Sequence, residues 1–269
     1  MITGINIIRN GIENGYPFVE SVLSVLPLVD EYIMNDGGST DGTLEVLMRM
    51  ERIFPKFRVT SIPDRENIRW DSCSEQLNML IDMAHGDWIF LGNADELIHE
   101  EDIGPIRDFI ETTEWDVVRY NRRELSQRWS KLSEEVYHPA RSARKVEGLH
   151  QNWNSYGGDE FLHGKTWIDP NRKCQSPFIV YHLYDVFPGN SLNKRQNDAE
   201  YLAPGDKHRV MIYERAKNGK RGKFIPPQRI YGKMPALARG LTEMEYYAVR
   251  DCLFDKDWLR ETTGLNSYE

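Results

Sequence analysis

The chain has 269 residues, of which 40% are hydrophobic and 28% are charged, and its net charge at pH 7 is −8. This composition is typical of a globular protein that buries a substantial core, and the negative charge argues against nonspecific binding of polyanions by the whole surface. No stretch approaches the roughly 18 apolar residues of a membrane span, and the first residues lack the pattern of a signal peptide. We therefore predict a cytoplasmic protein.

The first hundred residues alternate between short β-type runs and helical patterns, which predicts an α/β unit with a mainly parallel sheet. The predicted strands are residues 4–9, 31–35, 57–62 and 87–93, and the predicted helices between them are residues 17–29, 44–54 and 74–86. The third helix ends at Gly86, where a glycine suits a left-handed cap. The fourth strand is apolar on both faces, so we expect it to be central.

Polar motifs follow the second and fourth strands. The segment "DGGSTDGT" begins at Asp36, and "NADE" contains Asp95. Ligands of open α/β sheets bind at the carboxyl ends of the strands, so both acids are expected near a ligand, either a cation or sugar hydroxyls. Each motif alone also suits an ordinary turn or the start of a helix. Their order and spacing together favour a binding site.

These segments resemble the GT-A glycosyltransferases, specifically the inverting family 2. The resemblance covers roughly residues 3 to 100 and rests on "NDGGSTDGT", Asn78, Ala84, Gly86 and "NADE". It implies a GT-A fold, in which helices flank a mixed, mainly parallel sheet with an acceptor-side C-terminal extension. Asn35 and Asn93 stand where the family commonly has Asp. The "NADE" variant resembles the "QADE" branch, and the neutral amide of Asn93 implies weaker metal affinity.

The resemblance implies transfer of a sugar, with inversion, from a nucleoside diphosphate donor, with UDP-sugar favoured, to a hydroxyl acceptor. Mn²⁺ or Mg²⁺ would stabilise the leaving diphosphate, and Asp95 would hold that cation. His182, on a later β-type run, is expected either to bind the metal or the phosphates or to be an ordinary buried histidine.

The same resemblance implies contacts to the nucleotide and the sugar. Asp36 would accept hydrogen bonds from the base or the ribose. The remaining predicted contacts lie at the end of the first strand, on the third helix, in the "NADE" motif and in a later segment, and they are Ile8, Arg9, Asn10, Asn78, Asn93 and Lys194.

An inverting enzyme also needs a general base to take the proton of the acceptor hydroxyl. The family commonly supplies it from an "E-D" pair, of which this chain has no clean copy. Asp159 and Glu160, after a glycine turn, are the predicted catalytic acids, and Asp185 is the alternative.

We predict three regions: residues 1–115 bind the nucleotide sugar, residues 116–205 bind the acceptor, and residues 206–269 form a basic loop and a helix that packs on the domain. The segment from Lys207 to Arg239 contains ten Lys or Arg residues and one acid, Glu214. This segment is interpreted as a solvated loop or as a contact to an anionic acceptor, such as a lipid-linked glycan at a membrane surface. Modified nucleic acid is a less favoured acceptor.

Two other functions remain open at this stage. A nucleotidyltransferase would also use acids with Mg²⁺, but it would require a glycine-rich, basic phosphate loop after the first strand, and "IIRNGIENG" supplies only Arg9. An inactive GT-A-like binding module is motivated by Asn93 and by the missing "E-D" pair.

Overall fold

The computed structural model describes residues 1–62, 70–126, 138–153, 159–164, 166–185 and 196. Its strands are β1 (Ile2–Ile8), β2 (Glu31–Asp36), β3 (Phe57–Ser61), β4 (Trp88–Leu91), β5 (Glu96–Ile98), β6 (Val117–Ser126), β7 (Ala140–Arg144), β8 (Leu149–Trp153), β9 (Asp159–His163), β10 (Thr166–Trp167) and β11 (Lys173–Asp185). Its helices are α1 (Phe18–Val25), α2 (Thr43–Ile53), α3 (Trp70–Met83) and α4 (Ile103–Thr112).

Eight strands form the main sheet, in the order β3-β2-β1-β4-β7-β6-β11-β5, and β10, β9 and β8 form a second sheet. The strands β1 to β4 pair in parallel, whereas β7 is antiparallel to both β4 and β6. Because β11 is parallel to β6, it runs in the same direction as β4. The carboxyl ends of β1, β2 and β4 lie along the same side of the sheet, which we call the site edge.

The mixed, mainly parallel sheet confirms the predicted α/β class, and β4 lies between β1 and β7 with all four residues buried. The main sheet also contains β6, β7 and β11, so the predicted regions on either side of residue 115 share one sheet. Two helical layers cover it. Along β1, Ile2 and Ile8 pack in the core cluster of α1, α2 and α4, while Ile5 packs in the cluster of α3. This alternation follows from the two-residue period of a strand.

The structure excludes the alternative in which "NADE" starts a helix, and it contradicts the predicted left-handed cap at Gly86. The motif "NADE" does not begin a helix, because Glu96 starts the strand β5, which pairs antiparallel to β11. Gly86 is not among the glycines with positive φ. Close packing explains why this residue is a glycine, because a Cβ there would lie 2.7 Å from the backbone nitrogen of Thr3.

Several predictions fall outside the described residues, namely Lys194, the basic segment 207–239 and the terminal helix. In the part of the chain that the structure describes, no helix has the length and apolar character needed to cross a membrane.

Candidate functional site

The loops that follow β1 and β2 are joined by hydrogen bonds. The carbonyl of Ile8 accepts from the Gly37 N–H at 2.7 Å, and the Asn10 side chain accepts from the Thr40 N–H at 2.9 Å. The Asn10 N–H donates to the Ser39 hydroxyl at 2.8 Å. Asn10 has a φ of 48°, in the left-handed region that Asn tolerates better than most residues. The predicted residues Ile8 and Asn10, with Arg9 between them, therefore form one unit with the loop after Asp36.

Asp36 ends β2 and is fully buried. Its Oδ2 accepts hydrogen bonds from the N–H groups of Gly38 and Ser39, at 3.0 and 2.9 Å. Among the described residues, no donor lies within hydrogen-bonding distance of its other oxygen, Oδ1. A buried acceptor without a partner is costly, so this carboxylate is suited to accept a hydrogen bond from a ligand.

Asn35 precedes Asp36 and binds two neighbouring elements. Its Nδ2 donates to Oε1 of Gln76 on α3 at 2.8 Å, and its Oδ1 accepts from the Thr60 hydroxyl on β3 at 2.9 Å. The amide side chain thus has both polar ends bonded in a fully buried position. An amide in place of the family's usual Asp is explained here by a neutral network that connects β2, β3 and α3.

Asp95 and His182 meet because β5 pairs with β11 in a register that places Glu96 opposite His182. Oδ2 of Asp95 lies 3.1 Å from Nε2 of His182, and both residues are only 7% exposed. The structure thereby brings together the two residues that were predicted as metal ligands. Within the described residues, no group of three or more His, Cys, Asp or Glu side chains has the geometry of a metal cage.

Asn93 lies two residues before Asp95, in the loop that leaves β4. Its backbone carbonyl accepts from the Ser21 hydroxyl at 2.5 Å and from the Glu96 N–H at 3.1 Å. The side-chain Oδ1 is buried, and no described donor bonds it. Asp95 and His182 supply a carboxylate and an imidazole in contact, and Asn93 has an amide oxygen without a described partner two positions earlier in the chain. Groups of these kinds fit a divalent cation whose remaining ligands are phosphate oxygens and water.

Glu96 and Arg141 form a buried ion pair that the sequence did not predict. Arg141 donates from Nε and Nη2 to the two carboxylate oxygens of Glu96, both at 2.7 Å, and Arg141 is completely buried. Glu96 is therefore engaged at both oxygens. The sequence feature that could have indicated this ion pair is the position of Arg141 in the run "ARSAR", where residues 140, 142 and 143 are small.

Asn78 contacts the protein rather than open space. Its Nδ2 donates to the Gln151 carbonyl at 3.2 Å, and its Oδ1 accepts from the Gln151 N–H at 2.7 Å. These bonds connect α3 to β8. The predicted contact of Asn78 with the donor stays a prediction.

Glu160 is engaged by cations at both of its carboxylate oxygens. One carboxylate oxygen of Glu160 pairs with Arg119, and the other accepts from Lys173 Nζ at 2.8 Å. We therefore do not give Glu160 a catalytic role. Asp159 begins β9, where its backbone pairs with Trp153.

Glu20 is a second unexpected carboxylate. It lies in the first turn of α1, next to Ser21, and it is 2% exposed. Apart from the backbone of Glu20 itself, none of the described residues forms a hydrogen bond to either of its carboxylate oxygens. Burial raises the pKa of Glu20 to about 7, because a charged carboxylate loses its hydration there.

A mainly parallel sheet with Asp36 at the end of β2 and the Asp95–His182 pair beyond the end of β4 is the architecture of a GT-A glycosyltransferase. The chain belongs to glycosyl transferase family 2, whose sequence model matches residues 9–168, more than half of the chain. The protein is accordingly an enzyme of the glycosyltransferase class, as the motifs predicted.

The fold is similar to that of a solved glycosyltransferase structure. The crystal structure of S. aureus TarS 1–349 in complex with UDP-GlcNAc is similar at a TM-score of 0.52 and 16% identity, over 81% of this chain and 71% of that chain. Glucosyl-3-phosphoglycerate synthase from Mycobacterium tuberculosis, in complex with Mn²⁺, UDP and glucosyl-3-phosphoglycerate, is 24% identical, with a TM-score of 0.32 over 46% of this chain and 44% of that chain. None of the curated proteins matches the chain.

Proposed function

We propose that the enzyme transfers a sugar from a UDP-sugar to a hydroxyl acceptor, with inversion and with a divalent cation, Mn²⁺ or Mg²⁺, held by Asp95 and His182. The observation that carries the proposal is the buried contact between these two side chains, 3.1 Å apart, in the loop and strand that follow the site edge. The similarity in fold to a structure that contains UDP-GlcNAc supports uridine as the base of the donor.

The nucleotide would lie across the ends of β2, β1 and β4. Neighbouring strands are about 4.8 Å apart, so β2 and β4 are separated by about 10 Å. Asp36 would accept a hydrogen bond from the uracil N–H or a ribose hydroxyl at its Oδ1, and Ile8, Arg9 and Asn10 would line the base. Asp95, His182 and the amide oxygen of Asn93 would face the diphosphate end of the donor.

The chemical requirement is to stabilise the diphosphate as it leaves. A cation bound by Asp95 and His182 would offset the negative charge that accumulates on the phosphate oxygens. Asn78 and Lys194 stay proposed as contacts to the sugar or the phosphates. Asp159 stays our proposal for the general base that takes the proton of the acceptor hydroxyl. The proposed acceptor is a glycan or a lipid-linked glycan.

The test is the thermal stability of the purified protein with a panel of nucleoside diphosphates and their sugars, with and without Mn²⁺, in the wild type and in Asp95→Ala. A ligand that binds only the folded state raises stability by RT ln(1 + [L]/Kd). We expect a stabilisation by UDP or a UDP-sugar that depends on Mn²⁺ and that Asp95→Ala removes. If none of the nucleotides changes the thermal stability, the proposal is contradicted and an inactive binding module is favoured.

A further inference from the structure

The segment from Asn93 to Ile98, which comprises the end of the loop after β4 and the strand β5, is held at three points by side chains from distant parts of the chain. The Ser21 hydroxyl of α1 donates to the Asn93 carbonyl. The Ser24 hydroxyl, one turn further along α1, accepts from the Ile98 N–H at 3.2 Å. Between these two points, Arg141 binds the carboxylate of Glu96. Asp95 therefore lies within a segment whose two ends and centre are all fixed.

Arg141 reaches Glu96 because β7 contains a bulge at this position. Val118 of β6 pairs with Ser142, and the next residue, Arg119, pairs with Ala140, so Arg141 is the extra residue of β7. Bulges redirect a side chain and are common beside active sites. The planar guanidinium donates two parallel hydrogen bonds, which fixes both the position and the orientation of the carboxylate.

A buried ion pair is a weak source of stability, because removing two charges from water offsets most of their attraction. A pair of apolar side chains would often stabilise the fold equally well. What the ion pair supplies is a defined position for Glu96. The backbone of Glu96 is paired with His182, and Asp95 precedes Glu96 directly. The position of Glu96 consequently determines how Asp95 faces His182.

We propose that Arg141 is a positioning residue for the metal ligand Asp95, acting through Glu96. Arg141 would neither contact the donor nor bind the cation. Its role would be to keep the carboxylate of Asp95 and the imidazole of His182 at the separation that a divalent cation requires. This inference rests on the proposed function, since it assigns a role within the same site.

The test measures the affinity for UDP by calorimetry, with and without Mn²⁺, at a temperature where circular dichroism shows every variant to be folded. We define the metal-dependent gain as the dissociation constant of UDP without Mn²⁺ divided by the dissociation constant of UDP with Mn²⁺. Arg141→Lys keeps the charge but loses the planar fork. The control is Ile110→Ala, which removes buried side-chain atoms from α4, a helix that makes none of the three contacts described above. It lowers stability without touching Glu96.

We expect Arg141→Lys to reduce the metal-dependent gain about ten-fold or more, which is typical when a group that orients a metal ligand is lost. The affinity for UDP without Mn²⁺ should stay as in the wild type, and Ile110→Ala should keep the full gain. An unchanged gain in folded Arg141→Lys would overturn this inference and leave the proposed function standing. A wild type that shows no gain from Mn²⁺ would overturn the proposed metal site and this inference with it.

A second variant, Arg141→Met combined with Glu96→Leu, separates positioning from stability. It replaces the ion pair by apolar side chains of similar size, so we expect a thermal midpoint close to that of the wild type. If Arg141 positions Asp95 through Glu96, the metal-dependent gain in UDP affinity is lost although the stability is kept. If this double variant has wild-type stability and also the wild-type gain, the pair serves only the fold and the inference is wrong.

Discussion

Oδ2 of Asp95 and Nε2 of His182 lie 3.1 Å apart, although 87 positions of the chain separate the two residues. The contact arises because the short edge strand β5 turns back against β11 after the chain leaves β4. A carboxylate and an imidazole are thereby placed together in a buried position just after the central strand. The proposed metal site depends on this one pairing of strands.

His182→Ala tests the contribution of the imidazole. We expect the metal-dependent gain in UDP affinity to fall about ten-fold or more, because a direct ligand should contribute at least as much as a group that orients one. Calorimetry with and without Mn²⁺ measures this change. UDP affinity in the absence of metal serves as the internal control. A gain equal to that of the wild type would show that His182 is an ordinary buried histidine.

Asp36→Asn tests the predicted nucleotide contact. The amide oxygen can still accept from Gly38 and Ser39, but an NH2 group then replaces Oδ1, and this group cannot accept a hydrogen bond from the ligand. We expect UDP to bind about ten-fold to a hundred-fold more weakly, which corresponds to about 1.5–3 kcal/mol for a hydrogen bond to a charged group. The loss should be the same with and without Mn²⁺. A loss seen only with Mn²⁺ would instead place Asp36 at the metal.

Glu160→Gln tests the reassignment of a predicted catalytic acid. Arg119 and Lys173 would lose their anionic partner, so we expect the free energy of unfolding to fall by about 1–3 kcal/mol. Turnover of the donor, measured as UDP release, should change little below the unfolding temperature. General bases contribute about a hundred-fold or more to the rate. A fall of that size in the folded variant would restore Glu160 as the base.

Glu20 predicts a pH dependence of stability. Burial raises its pKa from the ordinary value of 4.5 to about 7, so between these pH values the folded state binds a proton that the unfolded state has released. The free energy of unfolding therefore falls as the pH rises through this window, by up to about 3 kcal/mol. Glu20→Gln should remove this part of the dependence and be more stable than the wild type above pH 7. Denaturation with urea at pH 5, 6, 7 and 8 measures it, and parallel curves for the two proteins would contradict the prediction.

Gly86→Ala and Gly104→Ala form a matched pair. A Cβ at residue 86 would lie 2.7 Å from the backbone nitrogen of Thr3, whereas a Cβ at residue 104 meets nothing within 4 Å. We expect Gly86→Ala to destabilise the protein by about 1–3 kcal/mol through overpacking. Gly104 lies in the first turn of α4, directly before Pro105, where the helix preference of alanine and the clash of a Cβ with the proline ring oppose each other. We therefore expect Gly104→Ala to change stability by no more than about 0.5 kcal/mol. Thermal unfolding of both variants measures this difference, and equal shifts would exclude the steric explanation.

Local patterns were sufficient for the first half of the fold. The strands β1 to β4 and the helices between them follow the predicted segments to within a few residues, because each segment shows its own periodicity and is bounded by glycine or proline. The location of Asp36 at the end of a strand, and of Asp95 just beyond another, followed from the same patterns. These are short-range properties, and the sequence records them directly.

The strand order and its consequences were decided only by the tertiary structure. Nothing in the run "NADE" shows that β5 pairs with β11, so the sequence could name His182 as a candidate ligand but could not place it against Asp95. The same is true of Arg141, whose side chain depends on a bulge in β7, and of Glu160, which two cations from other strands neutralise. Pairing between distant segments depends on the register and packing of the whole sheet, which no short window of sequence contains.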